Sequence, residues 1–134
     1  MKQLLYILMT FLFFASCRPS FDSDANQKLY DEVMVIHDEV MPRMSEIHKL
    51  KKSFKQQWQD SSKQSFDEAM QLKKELQEAD DAMMDWMAEF KMPKDASEEE
   101  IKAFLESEKE KITAVSRSMT KSIENAELFL RQYK

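Results

Sequence analysis

Residues 29–58, LYDEVMVIHDEVMPRMSEIHKLKKSFKQQW, are the stretch that decides the fold. Their apolar side chains recur every three or four positions, the spacing that keeps side chains on one face of an α-helix. One stripe is aliphatic and consists of Leu29, Val33, Ile36, Val40, Ile47, Leu50 and Phe54. A second stripe beside it consists of Tyr30, Met34, His37, Met41, Met44 and His48. The stretch therefore predicts a long amphipathic helix with an apolar arc wide enough for two neighbours.

The composition of the chain favours helices throughout. Its 134 residues include no glycine, which excludes a P-loop, a dinucleotide-binding loop and a serine nucleophile elbow, since each needs glycine for close backbone approach. No stretch alternates in the manner of a strand. The abundant Lys, Glu, Gln, Met, Leu and Ala are good helix formers. The predicted fold class is all-α.

Two further helices follow the first, at about 62–91 and 97–133, after a first helix at about 24–59. Asp24 with Gln27 can cap the first helix, and Ser97 with Glu100 forms a capping box for the last. Pro42 is expected to kink the first helix or to divide it in two. Short turns make long helices antiparallel neighbours. Residues 24–134 are thus predicted to form one up-down-up three-helix bundle, with an oligomeric coiled coil as the alternative and a homo-oligomer as a possibility.

Residues 1–16 have the pattern of a secretion signal. Lys2 precedes an apolar run at positions 4–15, and Cys17 follows Ala15 and Ser16. The pattern is typical of a bacterial lipoprotein, in which Cys17 becomes the lipidated first residue and residues 17–23 form a tether. The alternative, a permanent membrane helix, needs roughly 20 apolar residues and is disfavoured by this shorter run. Arg18 after the cysteine favours the outer membrane, with the protein facing the periplasm.

The charge balance bears on the partners. The chain has 20 Lys and Arg against 25 Asp and Glu, with both signs interspersed. This gives no electrostatic reason to bind nucleic acid, whose affinity depends on neutralising phosphates. The predicted partners are the membrane, through Cys17, and an unknown protein of the cell envelope.

Three runs carry a family resemblance: YDEVMVIHDEVMPRM at 30–44, ADDAMMDWM at 79–87 and EKEKI at 108–112. They resemble a group of small lipoproteins of Bacteroidetes bacteria that carry the automatic label "viral A-type inclusion protein". The resemblance covers most of the chain after the signal. It implies an envelope address and a helical fold, and it implies no activity.

One possible site for a cofactor lies in the second stripe. Thioether and imidazole are ligands for copper, and haem iron accepts the same pair. If the first turn centres near residue 60, Met34 lies level with Met87 and His37 with Met84. Met44 and His48 then face Gln77 and Lys73, which offer no soft ligand. A copper or haem site would therefore use Met34, His37, Met41, Met84 and Met87, with Met83 as a further neighbour.

Core packing is the preferred interpretation of this stripe, because methionine is a flexible filler of cores. An exposed methionine-rich groove for a partner is a third interpretation. His48 and the acidic group Asp80, Asp81 and Asp85 are expected to be solvated, and Trp58 and Trp86 are expected to anchor the core. The preferred function is thus a non-catalytic, lipid-anchored envelope protein without cofactor, and the alternative is an envelope copper or haem binder.

Overall fold

The computed structural model describes residues 23–57 and 63–133 of the chain. Within them the chain forms four α-helices and one 3-10 turn, and no strand. The helices are α1 (Asp24–Val40), α2 (Met44–Gln57), α3 (Lys63–Glu89) and α4 (Glu98–Gln132), with the 3-10 turn at Met41–Arg43. The predicted all-α fold is confirmed.

The helices form three arms packed side by side. Helices α1 and α2 make the first arm, and α4 runs parallel to it, since Asn26 bonds Glu98 and the ring of Phe54 contacts that of Phe129. Helix α3 is antiparallel to both, because Tyr30 near the start of α1 contacts Phe90 just after the end of α3. The arrangement is the predicted up-down-up three-helix bundle, formed within one chain.

Pro42 divides the first arm into two helices, which is the second of the two outcomes expected for it. The proline is exposed and lies in the 3-10 turn between α1 and α2. Each part of the arm then packs mainly on a different neighbour, α1 on α4 and α2 on α3. The backbones of α1 and α3 stay apart, and large side chains bridge the space between them, as in the ring pairs Tyr30–Phe90 and His37–Trp86.

The core is formed by the aliphatic stripe of the first arm and by buried apolar residues of α3 and α4. Val33, Ile47, Leu76, Met83, Ile112 and Met119 are each 0% exposed. From the second stripe, Tyr30, Met34, His37, Met41 and Met44 are only partly buried, and His48 is exposed. The two stripes of the first arm therefore differ in depth, with the aliphatic one in the core and the methionine-rich one at its edge.

The cap of α4 is the one predicted from the sequence, whereas α1 is capped by a different residue from the one predicted. Ser97 and Glu100 form the predicted capping box of α4, and the bonds from Ser97 lower the pKa of Glu100 from its ordinary value. The predicted cap of α1 by Asp24 is wrong. Ser23 caps this helix, because its extended backbone directs its hydroxyl to the amide of Asn26 at 3.3 Å.

Two polar contacts fix the register of α1 against α4. Asn26 is 2% exposed, and its amide donates to the carbonyl of Glu98 at 3.0 Å and to its carboxylate at 2.7 Å. Farther along, Lys109 donates a hydrogen bond of 2.6 Å to Glu32 and, by this bond and its charge, lowers the pKa of Glu32. This stabilisation is fully present above the unfolded-state pKa of Glu32 and is lost as the pH falls through the lower folded-state pKa.

Helix α1 contains a matched pair of valines, one in the aliphatic stripe and one outside it. Val33 is 0% exposed and Val35, on the same helix, is 54% exposed. We expect Val33→Ala to lower the free energy of unfolding by about 2 kcal/mol, through lost burial and the cavity left behind. Val35→Ala makes the same chemical change at the surface and is expected to lower it by less than about 0.5 kcal/mol. Urea unfolding of the chain from Arg18 onward, followed by circular dichroism, measures both, and equal losses would contradict this assignment of the core.

Candidate functional site

His37 of the first arm lies against Trp86 of α3, and the methionines that the sequence singled out for a cofactor lie near these two residues along the same two arms. We call this surface, formed by Met34, His37, Met41, Met84 and Met87, the methionine–histidine groove. Met34, Met41 and Met87 are partly buried, and the last two pack against the hydrophobic core. Met84 is 52% exposed. Met83, the further neighbour named from sequence, is fully buried and belongs to the core.

His37 lies between an aromatic ring and a carboxylate. Its side chain is 16% exposed, and its ring centroid is 5.6 Å from that of Trp86, at an angle of 34°. Its Nδ1 atom is 2.8 Å from the carboxylate of Asp38. In the neutral ring, Nδ1–H donates to this carboxylate and the lone pair is on Nε2. Among the described residues, Nε2 has no hydrogen-bond partner, so it is the ring atom through which His37 can bind a ligand.

Trp86 is the centre of an aromatic cluster below the groove. It is 6% exposed, which agrees with its predicted role as a core anchor, and its ring stacks on Phe90 at 4.9 Å. Phe90 also contacts Tyr30 and Phe104. The indole Nε1–H of Trp86 is buried and has no hydrogen-bond partner within the described part of the chain. Burying an unpaired donor is unfavourable. The ring contacts of Trp86 with Phe90 and His37 favour burial of the indole and oppose this cost.

A second polar cluster joins α2 to α3. The Oδ2 atom of Asp80 lies 3.1 Å from Nε2 of His48 and accepts a hydrogen bond of 3.0 Å from Lys51. Asp80 is 7% exposed, and its other oxygen is buried without a partner among the described residues. The expectations that Asp80 is solvated and that His48 lies level with Lys73 are wrong. His48 remains largely exposed, at 60% of its side chain, but it is paired.

The sequence contained a signal for Asp80 that was missed. Asp80 comes four residues after Leu76 and three before Met83, both of which are fully buried. That spacing places it on the core face of α3, at the edge toward α2. The two basic partners come from α2, which the break at Pro42 directs toward α3. The cluster thus ties α2 to α3 by charge-assisted bonds.

A shallow cleft between α3 and α4 is the third polar feature. Its volume is about 270 Å³, and it is lined by Glu75, Glu78, Ser118, Lys121, Ser122 and Asn125. The hydroxyl of Ser122 already donates to the carbonyl of Met119 at 3.0 Å. Ligand pockets are lined mainly by apolar side chains, so this polar lining suits water better than an organic ligand.

The remaining predicted site, Cys17, lies outside the described residues, as do the signal at 1–16 and Trp58. Lipidation of Cys17 therefore stays a prediction. Across residues 23–57 and 63–133, no helix has the length and apolar character needed to cross a bilayer. The same residues contain no group of three or more His, Cys, Asp or Glu side chains arranged to hold a metal ion.

Comparison of this chain with protein-family models, with curated proteins and with solved structures gives no match.

Asp80 and its neighbour Asp81 allow a test of the α2–α3 cluster. Among the described residues, Asp80 is the one carboxylate that pairs with Lys51, whose side chain is 20% exposed, and Asp80→Ala removes it. We expect the free energy of unfolding to fall by about 2–3 kcal/mol, since a largely buried charge loses its partner. Asp81 is exposed and accepts a hydrogen bond from Gln77 on its own helix, so Asp81→Ala is expected to change the free energy of unfolding by less than about 0.5 kcal/mol. Urea midpoints that fall equally for the two variants would contradict a specific role for Asp80.

Proposed function

We propose that this protein is a lipid-anchored helical bundle of the cell envelope that acts, without catalysis, through contacts with another envelope protein. The lipid is attached to Cys17, and the bundle extends from the outer membrane into the periplasm. The proposal is supported by the lipoprotein-like sequence at 1–17 together with a bundle that begins at Asp24.

The observation that carries this proposal is the position of the exposed apolar side chains along the bundle. Phe66 and Met70 lie near the start of α3, and Leu128 and Tyr133 lie near the end of α4; each is 41–56% exposed. These four are in the half of the bundle farthest from Asp24. Within residues 23–57 and 63–133, the other large apolar side chains that are this exposed are Val35 and Met84, in the nearer half. Exposed apolar side chains that are grouped on one part of a surface favour protein binding, so the distal half is the surface we assign to a partner.

The half of the bundle nearest the tether has a different character. Ser23 caps α1, Asn26 binds Glu98, and the turn between α3 and α4 lies at this end. The tether therefore enters a part of the bundle in which the helix ends are held by hydrogen bonds. A rigid base on a short tether suits a protein that presents its far end to a partner.

The buried polar groups support a structural role rather than catalysis. The Asn26 amide and the Asp80 carboxylate each join two helices, and the Glu108 carboxylate pairs with Lys111 on the same helix at 2.7 Å. Such paired groups specify how helices pack. Because Asn26 and Asp80 serve to join helices, we propose a structural role for them and not a catalytic one.

Lipid attachment is testable in cells. We expect the full chain to incorporate an alkyne-labelled fatty acid and to sediment with membranes, and Cys17→Ser to abolish the label. The variant Ser16→Ala keeps the cysteine and the small residue before it, and serves as the control. Equal labelling of the Cys17→Ser variant would contradict anchoring through this residue.

The partner surface is testable by photo-crosslinking in the same cells. A benzophenone amino acid placed at Phe66 or at Leu128 is expected to give a discrete adduct with one envelope protein. Lys28 and Lys102, exposed positions near the tether, are the controls. Adducts of the same mass and yield at all four positions, or none at the distal two, would contradict the assignment of the distal half.

A further inference from the structure

We propose that the methionine–histidine groove binds one Cu(I) ion through Nε2 of His37 and the thioether sulfurs of Met41 and Met87. This site lies in the half of the bundle nearer the tether and is independent of the distal surface assigned to a protein partner. Cu(I) is a soft ion that accepts imidazole and thioether ligands, and methionine selects it over hard cations.

The first support is the orientation of His37. The hydrogen bond between Nδ1 and Asp38, at 2.8 Å, leaves the lone pair of Nε2 for a ligand. A carboxylate bound to the far nitrogen of the ring is the arrangement that holds histidine ligands of metals in one tautomer and one direction. Trp86 lies against the ring at 5.6 Å and further restricts it.

The second support is the position of Met41. It comes four residues after His37, and its amide donates to the carbonyl of His37, so the helical geometry of α1 extends to it. Side chains in a helix point toward its N-terminus, so residue i+4 covers residue i. Met41 is therefore expected to lie over His37, whereas Met34 extends away from it.

The third support is the antiparallel pairing of α1 with α3. His37 lies level with Trp86, and Met87 is the next residue on α3. Because α3 runs the opposite way and helical side chains lean toward the N-terminus, the side chain of Met87 is expected to point along the bundle toward the level of Met41. Met41 and Met87 are both partly buried against the core. The three proposed ligands are thus expected to lie at neighbouring levels of α1 and α3, at the edge of the core.

The partial burial of these residues also suits a weakly charged soft ion. Thioethers are neutral ligands, so a monovalent cation bound by them and by a neutral imidazole keeps its single charge. Asp38, at the surface beside His37, carries the opposite charge and compensates for it. Met84 is exposed, so an ion that enters from solvent can reach its thioether first.

The test is a competition between the full chain and a chromophoric Cu(I) chelator. The chain is kept in detergent with ascorbate under anaerobic conditions, and all samples carry Cys17→Ser, so that no thiol binds the metal. We expect one equivalent of Cu(I) to bind. His37→Phe, which keeps a ring beside Trp86, is expected to lower the affinity by at least about tenfold, and Met41→Leu and Met87→Leu are each expected to lower it as well.

Matched controls separate ligation from packing. Met70→Leu and His48→Phe change the same residue types elsewhere in the bundle, and are expected to leave the affinity unchanged. Leucine replaces methionine with little change in volume, and circular dichroism verifies that each variant stays folded. Asp38→Ala is expected to weaken binding about tenfold through the orientation of His37, while Glu39→Ala has no effect.

Several results would overturn the proposal. These are no binding in competition with the chelator, binding that is unaffected by His37→Phe, or equal losses for Met41→Leu and Met70→Leu. X-ray absorption of the loaded protein gives a separate reading. We expect two sulfur ligands and one nitrogen ligand, and a spectrum without sulfur would also overturn it.

Discussion

Pro42 has no backbone N–H, so the first helix cannot continue through it with its hydrogen bonds intact. The chain passes this point in a 3-10 turn, and the two halves of the arm take different neighbours. The pairing of Asp80 and the surroundings of His37 both follow from this change of neighbour. Because α2 packs on α3, His48 and Lys51 reach Asp80. Because α1 packs on α4 instead, the space toward α3 is occupied by rings and thioethers, and His37 lies among them.

Most of the fold could be predicted from periodicity, because burial in a helical bundle repeats every three or four residues. The aliphatic stripe, the capping box at Ser97 and the antiparallel order all follow from local rules that act within one or two turns. The correct partner of each residue across the bundle does not. Counting residues from the centre of the first turn predicts Met84 opposite His37, two residues from Trp86, whose ring contacts it. The same count failed for His48, whose partner Asp80 lies seven residues from the expected Lys73.

The reason for that failure is physical. Side chains lean toward the N-terminus of their own helix, so in the antiparallel helices α2 and α3 the side chains of His48 and Asp80 reach toward each other along the bundle. A register that is counted only from the centre of the turn leaves out this reach. Polar residues such as Asp80 also look solvated by type, although their spacing places them on the core face. At this position the helical periodicity predicts burial of the side chain, which is correct, whereas the residue type predicts exposure.

Packing alone accounts for the methionines of the groove but does not account for His37. Met41 and Met87 fill space at the edge of the core, as flexible thioether side chains do. An imidazole in the same stripe has two polar nitrogens, and an aliphatic residue would pack beside Trp86 without needing partners for them. Asp38 satisfies one nitrogen, at 2.8 Å. The other nitrogen, Nε2, has no hydrogen-bond partner among the described residues, and it is the atom on which the proposed copper site depends.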